Sequence, residues 1–202
     1  MRSNIKGRQM RDRIAQEAAR LMVEEGVRDY YTAKRKAALR VGAPDTRNIP
    51  RNTEVEAALQ SYQRLFHGER QIARVQELRG SALEAMRFFE QFEPRLVGSV
   101  LTGTAGPFSD INLHLFTDVP DEVNLYLLDN QVPFAADQRR LRISRNRTNE
   151  YPVLRFMAGD HAIEAIVFPR DGLRQAPCSP LDGKPMRRAG MDALTRLLAS
   201  TS

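Results

Sequence analysis

Apolar residues recur at helical spacing through the first third of the chain, and at alternating spacing only later. In RDRIAQEAARLMVEEG, Ile14, Ala18, Leu21 and Met22 fall at i, i+4, i+7 and i+8, one face of a helix that Gly26 stops. The segment TAKRKAALRVG predicts a second helix with Ala37, Ala38 and Val41 inward and Gly42 at its end. Pro44 and Pro50 bracket an irregular loop after it. Thr53 with Glu56 forms a capping-box pattern. It predicts a long helix carrying Val55, Leu59, Tyr62 and Phe66 on one stripe, running to about Arg79 with a bend near His67-Gly68.

From Ser81 the pattern changes. Ser81 and Glu84 make a second capping-box pattern, predicting a helix over SALEAMRFFEQFE that Pro94 ends. RLVGSVL then reads as a short buried strand, and SDINLHLFT as an alternating one. A helix is expected in PDEVNLYLLDNQ. Strands are expected around DQRRLRIS, PVLRFMA and HAIEAIVF, the last two joined by a tight turn at Gly159-Asp160. A final helix from about Met186 to Ala199 buries Leu194, Leu197 and Leu198. The order predicts an α+β protein: a helical N-terminal region, residues 1–80, then a domain over residues 81–202 with a mixed β-sheet flanked by helices.

Composition narrows the setting. Apolar residues make up 42% of the 202, aromatics 7% with no Trp, enough for one sizeable domain or two small ones. No apolar run approaches the roughly 18 to 20 residues that cross a bilayer, so no membrane span is expected. The basic residues of MRSNIKGRQMRDR precede no apolar segment, which argues against a secretory signal. The single Cys178 excludes an internal disulfide, and a reducing, cytoplasmic setting is the expectation.

Charge is unevenly spread. Residues 1–80 hold 17 Lys/Arg against 10 Asp/Glu, whereas residues 81–202 hold 14 against 15. Lys34, Arg35, Lys36 and Arg40 crowd one short helix, so RNA or DNA held by its phosphates is one expected partner of the N-terminal helices. A well-solvated helical surface accounts for the same charge. The opening helix is similar to the first helix of TetR-type regulators, but Pro44 and Pro50 fall where a recognition helix would run.

The candidate chemistry lies in GSVLTGTAGPFSDINLHLF, residues 98–116. Strand alternation puts Asp110, Asn112 and His114 on one face and Ile111, Leu113 and Leu115 in the core. Gly98-Ser99 ends the preceding strand where the backbone can approach a ligand closely. A Gly/Thr/Pro-rich loop separates the two parts.

This order resembles the nucleotidyltransferase superfamily, the fold of tRNA-tailing enzymes, poly(A) polymerases and aminoglycoside nucleotidyltransferases. Val97-Gly98-Ser99 and Asp110-Ile111-Asn112-Leu113 match its signature over about residues 81–169, with an amide at Asn112 where the family carries a second acid. The resemblance implies that Glu164, on a later core strand, is the third carboxylate. It further implies Mg²⁺ (or Mn²⁺) held by Asp110, Asn112 and Glu164, and a nucleoside triphosphate positioned by Gly98 and Ser99. The implied activity is transfer of a nucleoside monophosphate to an acceptor; the alternative is a catalytically silent nucleotide- or nucleic-acid-binding module that keeps the fold. The missing charge at Asn112 bears on catalysis more than on nucleotide binding.

The residues themselves leave quieter readings open. Glu164, flanked by apolar neighbours, needs a partner if buried, and Arg155 on the adjacent strand is one. Arg140 and Arg142 share a strand face and are candidates for phosphate oxygens, or for a charged edge that blocks strand pairing. Lys184, on a Gly/Pro loop, is a further triphosphate candidate. His114 and His161 are expected to be structural, His114 being the nearer to the Asp110 face.

Overall fold

The computed structural model describes residues 2–66 and 68–200, with the side chains of 2–5 left aside, and the chain divides into two compact units. One takes in residues up to 72 together with 106–109 and 180–182; the other takes in 73–105, 110–179 and 183–202. The fold is α+β, with helices first and a five-stranded mixed sheet after them.

The first unit is built on α1 (Arg2–Glu24), α2 (Tyr30–Arg40) and α3 (Asn52–Phe66), with α1 packed on both others. Ile14, Ala18 and Leu21 are wholly buried against Ala33, Ala37, Ala38 and Val55, so the apolar stripe of the sequence is the core. Small alanines on both α1 and α2 let the two backbones come close. Asp29 caps α2 by accepting the Thr32 N–H at 2.9 Å. The expected cap of α3 is corrected: the helix starts at Asn52, and Glu54, not Glu56, reaches back to accept the Arg51 N–H at 2.6 Å. Glu56 instead accepts the hydroxyl of Tyr30 at 2.6 Å and ties α3 to α2.

α4 (Gly68–Phe88) runs from the first unit into the second. The bend expected near His67-Gly68 involves residue 67, outside the described residues, and α3 and α4 are separate helices on either side of it. No helix starts at Ser81. That residue lies inside α4, where its Oγ meets His161 Nδ1 at 3.0 Å rather than a backbone N–H. Val75, Leu78, Ala82, Met86 and Phe89 keep helical spacing straight through it and form the buried face.

The sheet comprises β1 (Arg95–Val97), β2 (Ile111–Phe116), β3 (Phe134–Ser144), β4 (Arg147–Ala158) and β5 (His161–Phe168), in the order β1-β2-β5-β4-β3. β2 and β5 are parallel; every other pairing is antiparallel. One face presents Ile111, Leu113, Leu115, Ile163, Ala165 and Val167 to the main core, together with α4, α6 (Asp121–Asp129) and α7 (Met191–Ala199). The other carries a smaller cluster that includes Phe116, Tyr151, Val153, Ile166 and Phe168. Two boundaries differ from expectation. Only Arg95–Val97 of RLVGSVL is strand; Gly98–Thr102 turns into a one-turn helix, α5. α7 begins at Met191 rather than Met186, because Ala189 exchanges both backbone hydrogen bonds with Leu96 (2.8 and 2.9 Å), extending the sheet beyond β1.

Candidate functional site

At the Gly98 end of the sheet, three of the predicted residues come together. Gly98 has φ +75°, a left-handed conformation that a side chain rarely adopts. A Cβ built there would lie 3.2 Å from Asn112 Nδ2, so the chain passes from β1 into α5 directly against the Asn112 side chain. Asn112 is in turn the Cα partner of Glu164 across the parallel β2–β5 pairing, which puts both on one face. Asp110 falls one residue ahead of β2, and its backbone carbonyl accepts from Asn112 Nδ2 at 3.2 Å.

α5 itself is held from behind. Arg79, buried within α4, donates to the carbonyls of Val100 (3.1 Å) and Leu101 (3.2 Å), satisfying acceptors at the open end of the short helix. Desolvation lowers the pKa of Arg79. Ser99 contributes its carbonyl to the turn, accepting from Gly103 and Thr104. No side chain caps the start of α5, and with five residues it has little dipole to offer an anion.

The carboxylate of Glu164 is occupied. Arg139 forks onto it, Nη1 to Oε1 at 2.5 Å and Nη2 to Oε2 at 2.6 Å, while Arg155 Nε donates to Oε2 at 3.1 Å. Arg155 Nη1 also reaches Asp137 at 3.1 Å. The Glu164 side chain is 10% exposed against 39% for Arg139 and 43% for Arg155, so a nearly buried acid is neutralised by two half-exposed guanidinium groups. Arg155 is the partner that neighbouring strands predict. Arg139 was missed: it crosses from β3 over β4, and the signal for it was only its parity with Leu141 and Ile143, which face the same way.

The remaining candidates are placed elsewhere. Alternation sets Arg140 and Arg142 on the face opposite Arg139, and Arg140 pairs with Glu150 across the β3–β4 hairpin at 2.6 Å. Arg142 and Lys184 meet the same turn: the Arg142 carbonyl accepts from Cys178, the Lys184 carbonyl from Ser179, and Arg142 Nη2 lies 3.0 Å from the Cβ position of Gly183. His114 is buried with its Nδ1 accepting from Arg188 Nε at 2.9 Å. Its pKa is pushed well below the ordinary 6.5, by burial first and by the Arg188 charge second. His161 sits against Ser81, Arg74 and Glu77.

As arranged, this donor set does not fit a hard divalent cation. Mg²⁺ wants anionic oxygen with free lone pairs; here an amide stands at 112 and both oxygens of Glu164 accept from arginine. Among the described residues, no three His, Cys, Asp or Glu side chains gather as a metal site would need.

In the basic N-terminal helix, Lys34 donates to Asn52 Oδ1 and the Pro50 carbonyl, and Arg40 pairs with Glu17 and Glu25. Arg35 and Lys36 are exposed, Arg35 with its guanidinium 5.9 Å from the Tyr31 ring centre. Among the described residues, no helix is long and apolar enough to cross a membrane. No family model matches the chain, and no curated protein and no solved structure matches it.

Proposed function

We propose that the second unit is a nucleotide- or nucleic-acid-binding module organised like a nucleotidyltransferase core, its metal end closed by arginines. The observation that carries the reading is the meeting of Gly98, Asn112 and Glu164 at one end of one sheet face. Gly98 and Ser99 would face the phosphates of a nucleoside triphosphate, beside the half-exposed guanidinium groups that Glu164 and Asp137 hold in place. Exposed Arg35 and Lys36 support a further contact to RNA or DNA phosphates through the first unit.

A second reading has one observation in its favour. Asn112 and Glu164 stand in register beside Gly98, on the strands where the resemblance places the family's acids. Under it the protein is a Mg²⁺- or Mn²⁺-dependent nucleotidyltransferase, cytoplasmic, acting on an acceptor of unassigned class. Asp110, Asn112 and Glu164 would hold the metal, and Arg139 and Arg155 would first have to release Glu164. The two readings part in one experiment. The protein and Asn112→Asp are incubated with each labelled nucleoside triphosphate, Mg²⁺ or Mn²⁺, and total RNA or cell lysate. We expect triphosphate binding by the unsubstituted chain without label transfer. Transfer by that chain establishes the enzyme reading instead, and absence of any triphosphate binding removes it together with nucleotide binding, leaving the first reading only its nucleic-acid form.

A further inference from the structure

The β3–β4 hairpin runs on past the rest of the sheet. β4 pairs with β5 only from Val153 to Ala158, whereas its pairing with β3 continues to Ser144 opposite Arg147. Residues 147–152 and the part of β3 that faces them therefore form a two-stranded ribbon, about 20 Å long at the ordinary rise per residue. One side of the ribbon is anchored. Ile143 and Tyr151 are buried, and the Tyr151 ring centre lies 4.5 Å from that of Phe168.

The end of the ribbon is basic. Arg142, Arg145 and Arg147 are exposed, and among the described residues none of them is in an ion pair. Glu150 is the acid of the ribbon, and Arg140 already holds it at 2.6 Å. Arg142 is the Cα partner of Thr148, so Arg147, one residue before it, points to the opposite face, and Arg145 lies in the turn between the strands. The tip thus carries positive charge on both faces and at its turn.

Charge that blocks strand pairing does not account for these residues. Among the described residues the outer edge of β3 finds a backbone partner at Arg142, whose carbonyl accepts the Cys178 N–H at 2.7 Å. The unpaired cations stand where the edge is covered or has ended; residues 134–138, ahead of that point, hold no Lys or Arg.

We propose that the tip of this ribbon enters the major groove of duplex DNA, with Arg142 and Arg147 on the phosphates of its two walls and Arg145 between them. Two strands about 4.8 Å apart fit a groove roughly 12 Å wide, whereas the major groove of A-form RNA is too narrow to admit them. Both walls of the groove are phosphate, which cations on both faces match. Residues 139–150 include no aromatic side chain, which stacking of a single strand would call for. The inference deepens the nucleic-acid side of the proposed function. None of the three arginines bonds to Gly98, Asn112 or Glu164, so it does not depend on triphosphate binding.

Fluorescence anisotropy of a labelled, mixed-sequence DNA duplex over a salt series tests it on the full chain. Beside the unsubstituted protein stand the triple variant Arg142→Gln/Arg145→Gln/Arg147→Gln, the single variant Arg147→Gln, and Arg35→Gln/Lys36→Gln in the first unit. The triple variant should lose at least tenfold in affinity and about 2.5–3 from the slope of log K against log salt; Arg147→Gln alone should lose about 0.9 from it. A scrambled sequence should bind alike, because phosphate contacts carry no sequence information. An RNA duplex should bind at least tenfold more weakly. Triphosphate binding should be equal in the triple variant and the unsubstituted chain, which separates failure of this surface from failure of the nucleotide site. Unchanged slopes in both ribbon variants overturn the proposal, as does DNA affinity that falls only in Arg35→Gln/Lys36→Gln. An RNA duplex bound as tightly as DNA overturns entry into the major groove. Displacement of the duplex by polyglutamate, charge for charge, overturns nucleic acid as the partner, and no binding of DNA overturns the site.

Discussion

Asn112 and Glu164 are Cα partners on adjacent parallel strands, yet their side chains turn away from a shared ligand: Asn112 to the Asp110 carbonyl, Glu164 to Arg139 and Arg155. Removing the charge of Glu164 should therefore act on stability before it acts on anything else. Breaking a fully buried ion pair costs about 3–5 kcal/mol, an exposed one about 0–1, and this pair joins a buried acid to half-exposed arginines. Glu164→Gln should lose about 2 kcal/mol in urea denaturation. Combined with Arg139→Gln, the two losses should fail to add by about 1 kcal/mol. Additivity would mean that the fork carries no stability.

Restoring the acid the resemblance calls for gives a second expectation. In Asn112→Asp, a new carboxylate faces Glu164 and gives up the amide donor to the Asp110 carbonyl. Without metal the variant should be less stable by about 0.5–1 kcal/mol, the scale of like charges on paired strands. Millimolar Mn²⁺ should raise the melting temperature of the variant and leave the unsubstituted chain unmoved. Equal rises in both chains would show that Asp110, Asn112 and Glu164 already hold a cation.

His114 makes stability depend on pH in a definite direction. Its folded pKa lies below 6.5, its approximate value in an unfolded chain. Above 6.5 both states are neutral and the residue costs nothing; as pH falls below 6.5 the unfolded chain takes up a proton that the folded one refuses. Stability should thus decline from pH 6.5 downward. His114→Asn, whose Oδ1 stands near the Nδ1 position and can accept from Arg188, should flatten that decline. The measurement is urea denaturation of both chains at pH 5 to 8. Parallel profiles would acquit His114.

Much of this architecture is written in local spacing. The Ile14–Ala18–Leu21 stripe and the alternation of Ile111, Leu113 and Leu115 each report their buried face, because burial and periodicity are one fact in a regular element. The site was half legible for a similar reason. A tight turn at Gly159-Asp160 fixes the β4–β5 register, and that register puts Arg155 opposite Glu164. Arg139 depends on the β3–β4 register, which shifts between Arg142 and Ser144, and on a side chain long enough to pass a strand. Ser81 misled because its Ser-x-x-Glu spacing imitates a cap, while the uninterrupted run Val75, Leu78, Ala82, Met86 carried the true signal. Arg188 left no trace, since it sits in a Gly/Pro-rich loop where no period relates it to His114 or to the rings of Phe116 and Phe168.

The paired Phe88-Phe89 lets burial be tested against ring contact within one dipeptide. Phe89 is wholly buried and has Phe88, Phe92, Tyr126 and Phe156 around it, at 4.8, 6.3, 6.0 and 5.5 Å between ring centres. Phe88 touches Phe89 and Tyr126 but is only partly buried. If cavity formation in the main core dominates, Phe89→Ala should cost about 3–5 kcal/mol, and Phe88→Ala clearly less because water can enter the space it leaves. Phe89→Leu should recover more than half of the loss, since Leu refills most of the volume without the ring contacts. Chemical denaturation of the three variants gives the order. Equal losses at 88 and 89 would place the energy in the aromatic contacts themselves, and the end of α4 would then be held by ring geometry rather than by closure of the core.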